Sequence, residues 1–459
     1  MGEMMGRVMF AAPASGSGKT TVVCGILQAL SDRGYHCASL KCGPDYIDPL
    51  YHRMTGADYG GNLDSFFVGE TVIRQQLWNA ESEADFTILE GVMGYYDGVA
   101  GVSLQASSYD IARITQTPVI LILDGKGSAL SLAAMVKGFA EYRMDSRICG
   151  VLWNRTTPLM AERFSPFLEE MGIRVVGALP ECESIRFPSR HLGLLLPHEQ
   201  KQLRTQMQIL GTQVTRGIDL DLILEIARSA PELSMPDLRR NQPNPSAQSV
   251  RIAVAQDEAF CFYYQENLRL LEAFGAEIVS FSPIHDAKLP EGIAGMLLGG
   301  GYPEVYASAL SVNTSMRESI GRSIGDGMPF LAECGGFLYL HEQLEDEMGT
   351  AYAMVGAIHG KAYKTEKLSR FGYITLRSKQ KDVCLNESIC GHEFHYWDSD
   401  ACGADWIADK PLSSRTWDCM HSQKGQIAGF AHLYYPSNPD FAKRWVMECQ
   451  AFRHKKGNL

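Results

Sequence analysis

The sequence predicts an α/β protein with two α/β domains, the first of them built on a parallel sheet. Apolar strand-like segments alternate with helical patterns from residue 7 to about residue 180. Residues 231–249 are rich in Pro, Ser and Asn and lack periodicity, which is typical of a linker. A new apolar strand, VRIAVAQ, then begins a second alternation. We therefore expect a first domain at 1–230, a linker at 231–249 and a second domain at 250–459.

The order of elements follows from these patterns. In the first domain, strands are predicted at VMFAA, FTILEG, TPVILILD, ICGVLWN and VVGALP, with another strand before KCGPDYIDP. Residues 197–229 are predicted to be helical. The second domain is predicted to alternate strands and helices up to Cys334 and to become richer in strands from there to His432.

Length, charge and cysteine usage narrow the class of protein. With 459 residues, the chain can bury a core in each domain. Its net charge of -11 argues against a nucleic acid or an anionic membrane as partner. No apolar stretch approaches the roughly 20 residues that span a bilayer, and MGEMMGRVMF lacks the pattern of a signal peptide. The twelve cysteines contain no C-x-x-C pair, as expected of reduced thiols. We expect a cytoplasmic protein.

The segment VMFAAPASGSGKTTVVCGILQAL has the pattern of a strand, a phosphate-binding loop (P-loop) and a helix. Backbone amides at Gly16 and Gly18 can approach phosphate oxygens, Lys19 can reach the terminal phosphates, and the Thr20 hydroxyl can bind Mg²⁺. The predicted nucleotide-binding residues here are Ser15, Gly16, Ser17, Gly18, Lys19, Thr20 and Thr21. The usual spacing would place glycine where this chain has Pro13. A turn that only caps the helix is the alternative.

Polar residues end several of the predicted strands, where sheets of this class bind ligands. They are Lys41, Glu90, Asp124 and Asn154. Lys41 is either a surface residue or a cation beside a transferring phosphoryl group. Asp124 and Asn154 are expected either near the nucleotide or in turn and capping roles.

Carboxylates follow two of these strands in loops. KCGPDYIDP contains Asp45 and Asp48, and ILEGVMGYYDG contains Glu90 and Asp97. Each could be a solvated loop residue, but carboxylates that follow a P-loop in one sheet favour Mg²⁺ binding. We therefore expect Asp48 and Glu90 to be metal ligands.

MPFLAECGGFLYL predicts a nucleophile elbow in the second domain, with Cys334 at a sharp turn between a strand and a helix. The helix N-terminus behind the thiol favours the thiolate, and Gly335 and Gly336 allow the turn. The glycines of MLLGGGYPEVY offer further amides for an oxyanion, although a plain tight turn is the alternative. The expected oxyanion donors are Gly300, Gly301 and Gly335.

Among twelve histidines, His432 in QIAGFAHLYYPSNP is the best candidate base for Cys334. His392 and His395 in GHEFHYW are weaker candidates, for which structural roles are favoured. Two close Cys–His pairs could bind a metal, but structural roles are again favoured. These pairs are Cys390 with His392 and Cys419 with His421.

Together these motifs resemble the cobyrinic acid a,c-diamide synthase family, glutamine-dependent ATP amidoligases of corrinoid assembly. The resemblance covers nearly the whole chain. The matching segments are SGSGKTT, GPDYIDP, EGVMGYYDG, GVLWNR, RHLGL, AFCFYYQENLRLLEAFGAE, SFSPIHD, LGGGYPE, AECGGFLYL, GHEFHY and AHLYYPSNP. It implies a dethiobiotin-synthetase-like ATP domain followed by a class I glutamine amidotransferase-like domain.

The resemblance also implies roles for individual residues. Cys334 and His432 would hydrolyse L-glutamine, and Asp48 and Glu90 would bind Mg²⁺. Asp97 would lie where substrate and phosphate meet, together with Tyr46, Ile47 and Asp48. Many glutaminases of this class have a glutamate two residues after the histidine, and family members often repeat histidine there. This chain has Tyr434 at that place, which leaves a third member of the site open.

The implied reaction uses ATP, Mg²⁺, L-glutamine and a tetrapyrrole polycarboxylate. ATP would convert two acetate carboxylates into acyl phosphates, with Lys41 and Asp97 in catalytic roles, and ammonia from glutamine would displace the phosphate. Arg190 and His191 are suggested to bind the ring. Whether the protein forms a homodimer is left open.

Four alternatives remain at this point. Nickel-sirohydrochlorin a,c-diamide synthase of coenzyme F430 biosynthesis uses the same chemistry on a related ring, and cobyric acid synthase amidates other positions. A nucleotide switch of the partitioning-ATPase type shares the deviant P-loop. The attached glutaminase half argues against a switch, as does Ala14 near the place of its early lysine. An inactive glutaminase scaffold is disfavoured by the presence of both Cys334 and His432.

Overall fold

The computed structural model describes residues 6–127, 129–182, 185, 189–190, 193–194, 196–200, 202–233, 249–368, 370–379 and 384–457. The chain separates into two compact units, Met1–Asp237 and Leu238–Leu459. Most of the predicted linker lies outside the described residues, as do His191 and the side chain of Arg190. In the described part, no helix is long and apolar enough to cross a membrane.

The N-terminal unit contains the predicted parallel sheet. Its strands are β1 (Arg7–Ala11), β2 (Cys37–Cys42), β3 (Ala57–Leu63), β4 (Phe86–Glu90), β5 (Val119–Asp124), β6 (Ile148–Asn154) and β7 (Arg174–Leu179). They lie in the order β3-β2-β4-β1-β5-β6-β7, and all neighbours are parallel. Because Lys41 is in register with Glu90 on the neighbouring strand, the two strand ends bring both residues together.

Helices connect these strands. They are α1 (Lys19–Asp32), α2 (Asp48–Met54), α3 (Glu70–Ser82), α4 (Ser108–Thr115), α5 (Ser131–Tyr142), α6 (Pro158–Glu169), α7 (Leu203–Gly217) and α8 (Leu220–Arg228), and a small hairpin of β8 (Ser189–Arg190) and β9 (Gly193–Leu194) precedes α7. The described residues of the region predicted to be helical, 197–229, are largely helical. It begins with a 3₁₀ turn and is divided between α7 and α8, where the Asp219 side chain caps the second helix.

The C-terminal unit alternates strands and helices first and becomes strand-rich after Cys334, as predicted. Its strands are β10 (Val250–Ala255), β11 (Ala276–Phe281), β12 (Gly295–Leu298), β13 (Phe330–Glu333), β14 (His341–Glu345), β15 (Ala351–Ala353), β16 (Ile358–Lys364), β17 (Phe371–Ser378), β18 (Ile389–Phe394), β19 (Trp397–Ser399), β20 (Trp406–Asp409), β21 (Thr416–Cys419), β22 (His421–Gln423), β23 (Gln426–Gly429) and β24 (His432–Leu433). Its helices are α9 (Gln265–Ala273), α10 (Ala307–Val312), α11 (Thr314–Gly325), α12 (Gly335–Tyr339) and α13 (Pro439–Gly457).

Two sheets of this unit position its functional residues. The central sheet has the order β11-β10-β12-β13-β23-β22, and β13 lies buried between two parallel neighbours. A second sheet, β21-β20-β17-β18-β24, is antiparallel and ends on the strand that carries His432. Short buried strands such as FLAE fit the centre of a parallel sheet, where both faces are covered.

Candidate functional site

The P-loop of the N-terminal unit connects β1 to α1. Gly16 and Gly18 have φ angles of 76° and 86°, a conformation that glycine adopts at little cost. A side chain on Gly18 would also overlap the amide of Asn154, which donates a hydrogen bond to the Ser17 carbonyl at 2.9 Å. The first turn of α1 has no acidic residue, so its N-terminus is suited to an anion.

Lys19 and Thr20 extend from the start of α1 towards the end of β4. Lys19 Nζ donates to the Met93 carbonyl at 2.6 Å, and Thr20 Oγ1 donates to Glu90 Oε1 at 2.9 Å. Burial and the nearby Lys41 lower the pKa of Lys19 to about 8. The two side chains therefore lie beside the carboxylate that the sequence placed at this strand end.

Lys41 is the centre of a buried charge cluster. Its Nζ lies 2.6 Å from Asp48 Oδ2 and 2.8 Å from Glu90 Oε1. Although burial opposes the ammonium, Asp48 and Glu90 raise the pKa of Lys41 well above its usual value. Although burial also opposes the Glu90 carboxylate, Lys41 and then His52 hold its pKa well below the usual range. Burial and the adjacent Asp45 raise the pKa of Asp48 to about 7.

His52 completes this cluster and was missed by the sequence analysis. Its Nε2 lies 2.6 Å from Glu90 Oε2 and its Nδ1 lies 2.9 Å from Ser39 Oγ. Asp48 and His52 are four residues apart at the start of α2, which places them on one helical face. That spacing was the available signal.

The loop between β2 and α2 is held by its own side chains. Asp45 Oδ1 accepts hydrogen bonds from the amides of Ile47 and Asp48 at 2.8 and 3.0 Å. Asn62, also missed, donates to the carbonyls of Gly43 and Asp45. Asp45 therefore shapes the turn, and Tyr46, which follows it, is half-buried.

Asp97 lies in the glycine-rich loop after β4 and is exposed. Its Oδ2 accepts a hydrogen bond from the Gly94 amide at 3.0 Å, and a side chain on Gly94 would overlap that carboxylate. Asp97 is close enough to Lys19 to raise the pKa of that amine, against the larger effect of burial. The P-loop lysine and the loop carboxylate are thus within electrostatic reach of each other.

The ends of β5 and β6 line a cleft of about 430 Å³ next to the P-loop. Asn154 and Arg155 are among its lining residues, together with Gly18, Thr21, Lys126 and Pro180. Arg155 was missed by the sequence analysis. Its guanidinium donates a hydrogen bond to the Gly16 carbonyl at 2.9 Å and forms an ion pair with Asp124 at 2.5 Å. Asp124 Oδ1 also accepts a hydrogen bond from the Lys126 amide at 3.1 Å. The contacts of Asp124 are therefore those of a turn residue and an ion pair.

Cys334 occupies a strained turn between β13 and α12. Its φ and ψ angles are 48° and -104°, which are unusual for a residue with a side chain. The Cys334 amide donates to the Gly429 carbonyl at 2.8 Å, and the Gly335 amide bonds the thiol. Burial, Glu304, Glu393 and Glu333 nevertheless raise the pKa of the Cys334 thiol, the Gly335 amide acting against them. Burial therefore opposes the thiolate form that the helix terminus favours.

The glycine loop after β12 packs between the elbow and His432. The Gly336 amide donates to the Gly299 carbonyl at 2.9 Å, and a side chain on Gly335 would come within 3.0 Å of the Gly301 nitrogen. A side chain on Gly300 would overlap the His432 ring. The loop therefore joins the thiol turn to the imidazole.

The His432 ring is buried. His432 lies on β24, where it pairs with His392 of the neighbouring strand β18. Burial, then His392 and His395, lower the pKa of His432 to about 3. Burial and Lys410 lower the pKa of His392 to about 3. The imidazole is thus neutral at neutral pH and able to accept a proton.

Tyr434 stands two residues after His432, and its ring packs edge-on against Tyr264 at 5.1 Å. The segment that follows the histidine is instead held by two buried side chains that the sequence analysis did not identify. Glu333 accepts a hydrogen bond from Tyr435 Oη at 3.0 Å and another from the Leu433 amide. Asn267 donates to the Leu433 carbonyl at 2.8 Å and accepts from the Tyr435 amide at 2.8 Å.

No cluster of three or more His, Cys, Asp or Glu side chains among the described residues is arranged to hold a metal ion. The two Cys–His pairs lie apart in the second unit, with Cys390 and His392 on β18 and Cys419 and His421 beside the turn into β22. Two carboxylates and a hydroxyl lie near the P-loop and could bind a metal ion. They belong to Asp48, Glu90 and Thr20.

Comparison with known proteins agrees with this division into two sites. Residues 8–195 match the model of the CobQ/CobB/MinD/ParA nucleotide binding domain, and residues 251–433 match that of the CobB/CobQ-like glutamine amidotransferase domain. A cobyrinate a,c-diamide synthase of Caldanaerobacter subterraneus subsp. tengcongensis is 37% identical over 97% of this chain and 99% of its own. The chain belongs to the cobyrinate a,c-diamide synthase family.

Other members of the family match over the same extent. A cobyrinate a,c-diamide synthase of Priestia megaterium is 34% identical, covering 98% of each chain, and one of Thermoplasma volcanium is 36% identical, also covering 98% of each. The predicted family and the fold class of two α/β domains are confirmed. The protein is an enzyme of the ligase class with a nucleotide-binding domain and a glutamine amidotransferase domain.

Proposed function

We propose that this enzyme amidates the a and c acetate carboxylates of cobyrinic acid, or of hydrogenobyrinic acid, using ATP and L-glutamine. The observation that carries the proposal is the presence of two chemistries in one chain, a P-loop beside the Lys41 cluster and a thiol elbow beside a neutral imidazole. We assign the synthetase to residues 1–230 and the glutaminase to residues 250–459. The names of the family members support the same assignment.

In the synthetase, residues Ser15 to Thr21 and the start of α1 bind the phosphates of ATP. The cleft lined by Asn154 is next to this loop and takes the nucleotide base. Mg²⁺ fits the oxygens of Thr20, Asp48 and Glu90, since it prefers oxygen ligands, retains waters and needs few carboxylates. Bound there, it would neutralise charge on the phosphates.

A substrate carboxylate held near Asp97, Tyr46 and Ile47 attacks the γ-phosphorus, and the bond from that phosphorus to ADP breaks. Lys19 and Lys41 offset the negative charge that moves across the phosphoryl group. Ammonia then attacks the acyl carbon of the acyl phosphate, and inorganic phosphate leaves. The acyl phosphate is needed because an oxide ion is a very poor leaving group.

In the glutaminase, Cys334 Sγ attacks the amide carbon of L-glutamine, while His432 accepts the thiol proton and passes it to the departing ammonia. Because the resting thiol and imidazole are both neutral, this proton moves during the attack. The amides of Gly300, Gly301 and Gly335 stabilise the oxyanion. Water then hydrolyses the glutamyl thioester, and the ammonia is used within the protein before it is protonated.

An oxygen-18 experiment tests the mechanism. With label in the substrate carboxylates, one labelled oxygen should appear in phosphate for each amide formed, because the acyl phosphate transfers that oxygen. Amide formed without label in phosphate would contradict an acyl phosphate. A nucleotide switch would hydrolyse ATP with water and transfer no label.

The alternative substrate is nickel-sirohydrochlorin, whose a and c side chains would undergo the same chemistry. Mass spectrometry after incubation with ATP, glutamine and a panel of tetrapyrroles separates the two. Two added amides on cobyrinic or hydrogenobyrinic acid support the proposal. Amidation of nickel-sirohydrochlorin alone would contradict it.

A further inference from the structure

Three carboxylates lie close enough to Cys334 to raise the pKa of its thiol, after the larger effect of burial. They are Glu304, Glu393 and Glu333. Glu333 already accepts hydrogen bonds from Tyr435 and Leu433. Glu393 differs, because its residue is 1% exposed and neither of its carboxylate oxygens accepts a hydrogen bond from any described residue.

The basic side chains near Glu393 do not donate hydrogen bonds to it. Arg370 Nε lies 3.8 Å from Glu393 Oε2, and His395 Nε2 lies 3.6 Å from the same oxygen. Both distances exceed that of a hydrogen bond. Another nitrogen of Arg370 already bonds Asp398. A buried carboxylate without hydrogen bonds is costly, so its persistence calls for a partner that the described residues do not provide.

Ring contacts tie this carboxylate to the thiol elbow. The His395 ring stacks on Phe430 at 3.9 Å with an angle of 9°, and the Arg370 guanidinium lies 5.1 Å from the centre of the same ring. Phe430 also contacts Phe337 of α12 at 5.0 Å. Phe430 precedes His432 by two residues, so the surroundings of Glu393 adjoin both Cys334 and its base.

We propose that Glu393 binds the α-ammonium group of L-glutamine and makes the glutaminase selective for an α-amino acid. This inference rests on the proposed glutaminase activity. When the amide carbon is at Cys334 Sγ, the α-nitrogen is only four covalent bonds farther along the substrate. A buried ammonium requires an anion with free acceptor sites, and it would supply the hydrogen bonds that Glu393 lacks.

The test compares L-glutamine with glutaramate, which has the same side-chain amide and lacks the ammonium. We expect wild-type kcat/KM to favour L-glutamine at least tenfold. In Glu393→Gln, KM for L-glutamine should rise at least tenfold, while KM for glutaramate stays within threefold and ammonia-dependent synthesis is kept. Glu393→Asp should recover part of the preference. The matched control is Glu342→Gln, an exposed carboxylate of β14, which should leave both constants unchanged.

Retention of the full preference for L-glutamine in Glu393→Gln would overturn the assignment of Glu393. The wild-type comparison needs no folded variant, and equal kcat/KM for the two amides would overturn the assignment by itself. If wild-type protein releases no ammonia from L-glutamine, the proposed glutaminase and the role of Glu393 both fail. The outcomes therefore separate failure of this inference from failure of the proposed function.

Discussion

Lys41 Nζ lies 2.8 Å from Glu90 Oε1, and both side chains are buried at the ends of neighbouring strands. The same ammonium contacts Asp48 at 2.6 Å. A single cation thus holds two carboxylates at the end of the sheet, beside the P-loop. This arrangement links the stability of the unit to the charge balance of its proposed phosphoryl-transfer site.

We expect Lys41→Met to abolish amidation with either glutamine or ammonium salts. The variant should also lose about 3 kcal/mol of unfolding free energy, because it leaves two buried carboxylates without their cation. Urea denaturation and product formation measure the two effects. Lys137→Met is the control, since that amine is largely exposed and lies outside the site. Unchanged stability in Lys41→Met would contradict the charge cluster.

Cys334→Ser should stop synthesis with glutamine while preserving synthesis with ammonium salts at raised pH. The physical reason is that the P-loop site does not use the thiol. Amide product measured with each nitrogen donor tests this division. Loss of both activities in a folded variant would argue against it, and His432→Ala should show the same selective loss, to an equal or smaller degree.

Gly300→Ala should impair glutamine hydrolysis at least tenfold, because the added methyl group would overlap the His432 ring. Ammonia-dependent synthesis should remain within twofold of wild type. Gly325→Ala is the matched control, since a side chain there meets no atom within 4 Å. Equal glutaminase rates for the two variants would show that the loop and the imidazole are not coupled.

Lowering the pH should destabilise the region around β18 and β24. His392 and His432 have pKa values of about 3 when folded, well below the usual value of 6.5. Below pH 6.5 the unfolded state therefore binds more protons, and the free energy of unfolding falls. At pH 5 the loss should be about 2 kcal/mol for each histidine.

Hydrogen exchange of the β18 amides at pH 7 and pH 5 measures this effect after correction for intrinsic exchange rates. His392→Asn should reduce the loss by about 2 kcal/mol, because asparagine does not titrate in this range. His359→Asn is the control, since the His359 side chain is exposed. A loss of stability that is the same in all three proteins would exclude His392 as its source.

Local motifs predicted much of the two sites. The P-loop and the elbow are short segments in which turn residues, strand and helix follow one another along the chain, so their pattern is visible without the fold. The strand β3 was missed because ADYGGNL contains residues that disfavour strands, and its pairing with β2 outweighs that preference. The burial that raises the pKa of the Cys334 thiol was not visible in the sequence, because burial depends on distant segments.

The sequence by itself determined the two-domain α/β class, the P-loop, the strand-end carboxylates and the thiol elbow, because each depends on neighbours along the chain. Only the tertiary structure decided which distant side chains meet. It brought His52 to Glu90, clamped the segment after His432 with Glu333 and Asn267, and left Glu393 buried without a hydrogen bond from any described residue. Those contacts join segments far apart in the chain, and strand order and burial set them rather than local propensity.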